Sequence, residues 1–301
     1  MTAFTHPADV IVLCAKAQEL VEVQPFFNDN FETHTKPTRL RTYKLKLSPT
    51  GPPGRMLLAS CPDMGNTLAA AQTGALVAEF TPNLIVWLGT AATLNPKSVC
   101  PGDVVLPQSA SARYYDKVIG KESLQFKSVT SELGFREFFF AKHFRVLGNW
   151  GYECALEKRN DTVDLTTRAN TIRTDFISNF QSRPELSSLL KKPPGAVRSP
   201  QLHMDGTIFS SEMVLDSKSY RDFVKQQIDR KTLAVDMESW GFLKTIKMFK
   251  ENSDRPLNGI VVRGISDAGT NKSLTFDGKL ALENAAQVAV QLIKHAVSNG
   301  F

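Results

Sequence analysis

The sequence predicts an α/β protein whose sheet is covered by helices on both faces, and three observations point there. Residues 84–88 (Leu-Ile-Val-Trp-Leu) form an apolar run of strand length, the pattern of a strand shielded on both sides. Residues 66–80 are rich in alanine, with Leu68, Ala71, Ala75, Val77 and Ala78 on overlapping turns, and Pro82 follows. That combination predicts a helix with a sharp stop. Segments of strand length and helix length alternate along the chain, as layered α/β folds require.

Taken in order, residues 10–14 read as a short apolar strand and 15–27 as a helix with Glu19 in its first turns. Glu19 is thereby placed near the C-terminal edge of the preceding strand. Residues 39–47, which alternate, and 55–60 read as strands joined by the hairpin loop Ser48-Pro49-Thr50-Gly51-Pro52-Pro53-Gly54. Residues 104–106 are the expected neighbour of strand 84–88. Lys191-Lys192-Pro193-Pro194-Gly195 reads as an exposed connection. No Gly/Ser-rich or Pro-rich linker divides the 301 residues, so one domain is expected over 1–301, with an extended basic insertion at about 117–200. Five phenylalanines fall between Phe135 and Phe144. Their helical spacing suits a core, with a subunit interface or an active-site lid as the other readings.

The formal charge is +6 and the pI about 9.1. Between Lys117 and Pro200 fourteen Lys/Arg stand against nine Asp/Glu, so most of the excess lies in the middle segment. It reads as solvated surface or as an anion-steering wall. No helix-turn-helix, RNA-binding aromatic signature or zinc-finger spacing accompanies it, and nucleic acid is not an expected partner. Cys14, Cys61, Cys100 and Cys154 are scattered without a Cys-x-x-Cys pair, which argues against a disulfide framework and a zinc site. His6, His34, His143, His203 and His295 show no metal-binding spacing. No Walker loop, Gly-x-Gly-x-x-Gly or Gly-x-Ser-x-Gly occurs, so no cofactor and no metal are expected. The first apolar run lacks a basic leader, and no run approaches the roughly 20 apolar residues of a membrane span. A cytoplasmic protein without a membrane partner is the expectation.

Two carboxylates stand where a core should be apolar. Glu238 follows Leu233-Ala234-Val235-Asp236-Met237, and Asp267 ends Val261-Val262-Arg263-Gly264-Ile265-Ser266. A buried carboxylate must be paired, hydrogen-bonded or protonated. A salt bridge for Glu238 or a helix cap at Asp267 would each suffice, but two acids in such contexts suggest a site.

These segments resemble the C-terminal half of the nucleoside phosphorylase/nucleosidase superfamily, and above all its methylthioadenosine/S-adenosylhomocysteine nucleosidase branch. Asn83 to Ala92, through Leu94-Asn95-Pro96 to Pro101-Gly102-Asp103-Val104-Val105, is similar to that family's strand, small-residue turn and return strand. Val10 to Ala15 followed by Glu19 is similar to its first strand and the acid after it. The resemblance implies a three-layer α/β/α sandwich with a mixed central sheet. It also implies a hydrolytic N-glycosidase that releases a purine base from a nucleoside or nucleotide. By it, Asp267 is the general acid to the purine N7, Glu238 hydrogen-bonds the ribose hydroxyls, and Glu19 polarises the attacking water. Thr90 and Arg263 position that water or an anion, with Ala91 beside them; Met237 packs on the ribose and Ser266 supports the base. A carboxyl at 267 suits a 6-aminopurine, so adenine is favoured. A homo-oligomer, dimer or hexamer, is implied too.

The sequence departs from the family in two places. Phosphorylases of the superfamily hold phosphate with a Gly-Asp-Pro-x-Arg-like loop and an Arg before the small-residue turn; here stand Cys14-Ala15-Lys16-Ala17-Gln18-Glu19 and Trp87-Leu88. Hydrolysis is favoured, while Arg263 and Lys16 leave phosphorolysis open as the alternative, beside a non-catalytic nucleotide sensor. Where the nucleosidases stack an aromatic ring on adenine, this chain has Met213 and Val214, with Phe209 close by. The 5′ end is open between a thioether nucleoside and a nucleotide such as AMP or ATP. In the second case Arg113 and Lys117 are the candidate phosphate contacts; the resemblance also implies ATP cleavage as the activity of some members that serve as antiviral effectors.

Overall fold

A computed structural model describes residues 8–32, 41–45, 54–117, 157–212, 214–215, 218–225, 231–269 and 278–300. The element order is β1 (Val10–Cys14), α1 (Ala17–Asn28), β2 (Arg41–Leu45), β3 (Gly54–Ser60), α2 (Asn66–Phe80), β4 (Leu84–Thr93), β5 (Val104–Val105), β6 (Ser109–Lys117) and β7 (Glu157–Asp164). Then come α3 (Thr167–Ser182), α4 (Pro184–Ser187), β8 (Leu202–His203), β9 (Thr207–Ser210), α5 (Lys218–Phe223), β10 (Thr232–Asp236), α6 (Ser239–Glu251), β11 (Asn258–Asp267) and α7 (Gly278–Ser298). The chain forms two compact units, Met1–Ser111 with Thr162–Phe301, and Ala112–Asp161. Of the second unit only the outer ends of β6 and β7 are described, and these strands are neighbours. The phenylalanines between 135 and 144 and the charges between 118 and 156 lie outside the described residues.

The sheet is mixed and runs β2-β3-β1-β4-β10-β9-β6-β7, with β11, β5 and β8 off this path. It forks at β4. On one side β4 runs parallel to β1, Val10 to Cys14 facing Leu84 to Leu88. On the other, β11 runs parallel to it from Asn258 opposite Leu84 to Asp267 opposite Ala92, while Ala92 and Thr93 also pair antiparallel with Val235 and Ala234 of β10. Two strands thus leave the same end of β4, and the space between their ends is where a ligand fits a layered α/β sheet.

Helices cover both faces because the strands are apolar on both. All ten residues of β11 are buried. A Cβ on Gly259 would meet Phe242 and Ile246 of α6, whereas one on Gly264 would meet the Ala281 carbonyl of α7 at 1.9 Å. Residues five apart on a strand face opposite ways, so α6 and α7 lie on opposite faces. Helix α2 packs on α6, and α1 and α3 on α7. At the first contact, Gly241 donates its amide to Asn66 Oδ1 at 2.9 Å, and a Cβ there would sit 2.1 Å from the Asn66 carbonyl. This is the expected three-layer α/β/α sandwich.

Two local expectations are corrected. Strand 104–106 does not adjoin β4: β5 pairs with β11 and β8, because β11 takes that edge of β4. Gly89-Thr90-Ala91-Ala92 is no turn either, since β4 continues to Thr93. Gly89 lacks a side chain because another residue's side chain fills the space above it. A Cβ on Gly89 would lie 2.1 Å from Arg263 Nη1. Asp103, in the Gly-Asp-Val-Val segment, is structural. It holds Arg198 through two contacts, His203 Nε2 at 2.7 Å and the amides of Cys100 and Gln201. These partners outweigh its burial and keep its carboxyl below the usual range.

Candidate active site

The fork encloses a cavity of about 390 Å³. Its walls come from the β1–α1 loop, the end of β4, the ends of β10 and β11, and the start of α7. Glu19, Thr90, Ala91, Val214, Met237, Glu238, Arg263, Ser266 and Asp267, named from the sequence, all line it. Residues separated by almost 250 positions are brought together because β1 and β11 flank the same strand.

Glu19 is fixed by the start of α1. Its Oε2 accepts the amides of Ala15 at 3.0 Å and Lys16 at 3.3 Å, which satisfies donors that the helix leaves without partners. Burial raises its pKa, opposed by the Arg263 charge and by those two amides. Glu238 directly precedes α6 and is almost fully buried. Its Oε2 accepts Arg263 Nη2 at 3.0 Å and its Oε1 the Gly65 amide at 3.4 Å. Gly65 has φ 118°, which a side chain would strain. Burial, aided by the charges of Asp236 and Glu19, raises Glu238 to about 7 against the pull of Arg263. The salt bridge expected as one reading of Glu238 is present, and the side chain also lines the cavity.

Asp267 ends β11 after a register shift between Ile265 and Asp267, and such a bulge re-aims the side chain that follows. Only 1% of Asp267 is exposed. Its Oδ2 accepts the Ser266 hydroxyl at 2.7 Å and its Oδ1 the Gly269 amide at 2.7 Å, while the Ser266 hydroxyl also lies 3.3 Å from the Ala91 carbonyl. The carboxyl thus closes a two-residue turn of its own and has no cation beside it among the described residues.

Sequence reasoning passed over Asp236, which organises the cluster. It accepts Ser210 Oγ at 2.6 Å, the Ser239 amide at 3.2 Å, the Ser239 hydroxyl and Arg263 Nη2 at 2.6 Å. It therefore caps α6 and holds the guanidinium. The signal was available: in the strand Thr232–Asp236, an acid at a buried position two residues before Glu238 needs a cation. Arg263 is that cation, 1% exposed, seated over Gly89 and 5.8 Å from the Trp87 ring. Burial would lower its pKa, but Asp236, Glu238 and Glu19 together raise it. The Arg263 Nε has no hydrogen-bond partner among the described residues. Burial and the neighbouring acids push the Cys61 thiol up to about 12 and raise that of Cys14, so neither is a ready nucleophile.

The remaining sequence candidates divide. Val214 is 56% exposed at the rim, and Met213 and the side chains of Arg113 and Lys117 lie outside the described residues. Phe209 does not line the cavity; it is buried against Leu94, Leu215, Val224 and Val235. Lys16, which with Arg263 left phosphorolysis open, also lines the cavity, as do Met64, Gln18, Glu22, Lys279 and Leu282, which had no assigned role.

Residues 9–298 match the Phosphorylase superfamily. The chain is similar to the ATP nucleosidase Cap17 of Escherichia coli (strain KTE188), 23% identical over 292 residues that cover 96% of this chain and 52% of that protein. It spans about half the length of the curated relatives it matches. Among solved structures it is similar to futalosine hydrolase of Helicobacter pylori strain 26695, with TM-score 0.58, 17% identity, and coverage of 97% of this chain and 98% of that one. It is also similar to the 5′-methylthioadenosine/S-adenosylhomocysteine nucleosidase of Neisseria meningitidis in complex with methylthio-immucillin-A, with TM-score 0.57, 19% identity, and coverage of 95% and 98%. With its forked mixed sheet, its carboxylate-lined cavity and a family match that runs almost end to end, the chain belongs to the Phosphorylase superfamily.

Proposed function

We propose that this protein is a hydrolytic N-glycosidase that releases a purine base, adenine by preference, from a nucleoside or nucleotide. The observation that carries the reading is the set of three separated acids on one cavity, Glu19, Glu238 and Asp267, each held by a different element. N-glycosidic cleavage needs a proton for the leaving base, negative charge near the sugar as its positive charge develops, and a base for water. Asp267 protonates the base at N7, with Ser266 orienting its carboxyl. Glu238 accepts from the ribose hydroxyls, and Met237 packs on the sugar. Glu19 takes a proton from a water positioned by Thr90 and Arg263, which line the same cavity. Val214 packs along the purine; Met213 and the side chains of Arg113 and Lys117, the candidates for the base and for a 5′-phosphate, lie outside the described residues.

Hydrolysis rather than phosphorolysis is supported by the fate of the cation. The Arg263 guanidinium already serves Asp236 and Glu238. An incoming phosphate would compete with both of them and face Glu19. The direct experiment is chromatography of products from adenosine, methylthioadenosine, AMP and ATP in phosphate-free buffer. Free adenine with ribose or its 5′-derivative is expected; release that appears only on adding phosphate would make the protein a phosphorylase.

Glu19→Gln is expected to lower kcat by about 10²–10⁴ with ligand binding retained, because a general base is lost and little packing changes. The pH profile gives an independent check. Glu19 and Glu238 act ionised, and both keep their protons to higher pH than a free glutamate. The rate is therefore expected to fall as pH drops through about 7, the value set by Glu238. A profile flat down to pH 5 would contradict these roles.

A further inference from the structure

We propose that Asp236 is a positioning residue for the acid that faces the sugar: anchored at the start of α6 and holding the shorter ion pair to Arg263, it keeps the guanidinium from tying down Glu238 and leaves that carboxylate open to the ribose hydroxyls. The inference rests on the glycosidase reading and deepens it. Asp236 is buried, and no step of that reading uses it. Its donors are the Ser210 hydroxyl at 2.6 Å, the Ser239 hydroxyl, the Ser239 amide at 3.2 Å and Arg263 Nη2 at 2.6 Å. The Ser210 oxygen accepts the Trp240 amide at 2.9 Å, so its one proton is directed at Asp236. A carboxylate has about four lone-pair sites, and here they are taken. Asp236 borders the cavity with nothing left to offer a ligand.

Glu238 is held more loosely by the same cation. Arg263 Nη2 reaches its Oε2 at 3.0 Å, against 2.6 Å to Asp236, and the Gly65 amide reaches its Oε1 at 3.4 Å. Two such contacts leave about half of its acceptor sites open, on a side chain that lines the cavity. The groups around it come from several elements: Arg263 from β11, Asp236 from β10, Glu19 from α1, the Cys61 thiol just after β3, and Glu212 on the far side of Gly65. Arg263 is the cation of that set. Its charge and that of Asp236 act on Glu238 in opposite senses. With Asp236 neutral, the guanidinium would turn wholly to Glu238, because the nearer of its two acids would be gone. The lone pairs meant for the ribose would then be used, and Glu238 would stay ionised to lower pH.

The test uses the full chain and two variants, with kcat/KM for adenosine or ATP, whichever the parent cleaves better, followed across the acid limb. For Asp236→Asn the limb is expected to move down by about one pH unit or more, while the plateau above it falls about tenfold as the ribose hydroxyls lose their acceptor. Arg263→Lys keeps a cation in the cluster and decides the matter if Asp236→Asn does not fold. Its single ammonium should stay with the anchored Asp236, so this limb is expected to move up. A residue that merely caps α6 would lower the rate evenly at every pH and leave both limbs in place, and that result overturns the proposal. Infrared difference spectra of the Glu238 carboxyl, assigned through Glu238→Gln, should titrate with the same shifts. Should no substrate release its base, the glycosidase reading fails, and the infrared titration still decides whether Asp236 governs Glu238.

Discussion

Asp267→Asn is expected to reduce base release by about 10²–10⁴, the usual contribution of a positioned general acid. The change is nearly isosteric. Oδ1 can still accept the Gly269 amide, so the turn after β11 and the register against β4 should survive. What is lost is a group that can give up a proton and take it back. Binding of a nonreactive nucleoside analogue is therefore expected to change far less than kcat, since the interaction removed is one made mainly in the transition state. Single-turnover assays and calorimetry on the same preparation separate the two quantities. A variant that turns over like the parent would remove Asp267 from the acid role and would leave the bulge at Ser266 without a catalytic purpose.

The largest effect on stability is expected from Arg263→Met. The guanidinium is fully buried, and Asp236 and Glu238 both depend on it. Removing one member of a buried charge cluster typically costs about 3–5 kcal/mol, because the partners are left charged without compensation. The pH dependence distinguishes this cause from lost packing. Without the cation, the acids should hold their protons more strongly in the folded chain than in the unfolded one. A group with a raised folded pKa contributes stability at low pH and loses it as pH rises through that pKa. Denaturant melts should therefore show a deficit that is large at pH 8 and smaller at pH 5.5. A deficit of the same size at both values would assign it to the void beside Gly89 instead.

The sequence made the local parts of this fold legible and left the tertiary ones hidden. Helix α2 has the expected bounds because its limits are local: Gly65 before it and Pro82 after it leave little choice. The extent of β4 was misread because small residues ordinarily mark turns. Here Gly89 is small to admit a side chain from a strand 170 residues further on. The place of β5 was hidden for a related reason, since strand order follows from which crossover reaches β4 first. Glu19, Glu238 and Asp267 could be named because acids beside apolar runs are conspicuous and the family pattern carries them. Asp236 lies in the same quoted segment, yet its partners Ser210, Ser239 and Arg263 come from three other elements.

The seating of Arg263 over Gly89 has a consequence for how such a protein can change over evolutionary time. Any side chain at 89 would occupy the volume of the guanidinium, and a cation withdrawn from 263 would strand the acids at 236 and 238. No single replacement at either position leaves the other's neighbours content. The two positions are bound to drift as a pair, so a lineage that altered one would have to rebuild the acid cluster in the same step.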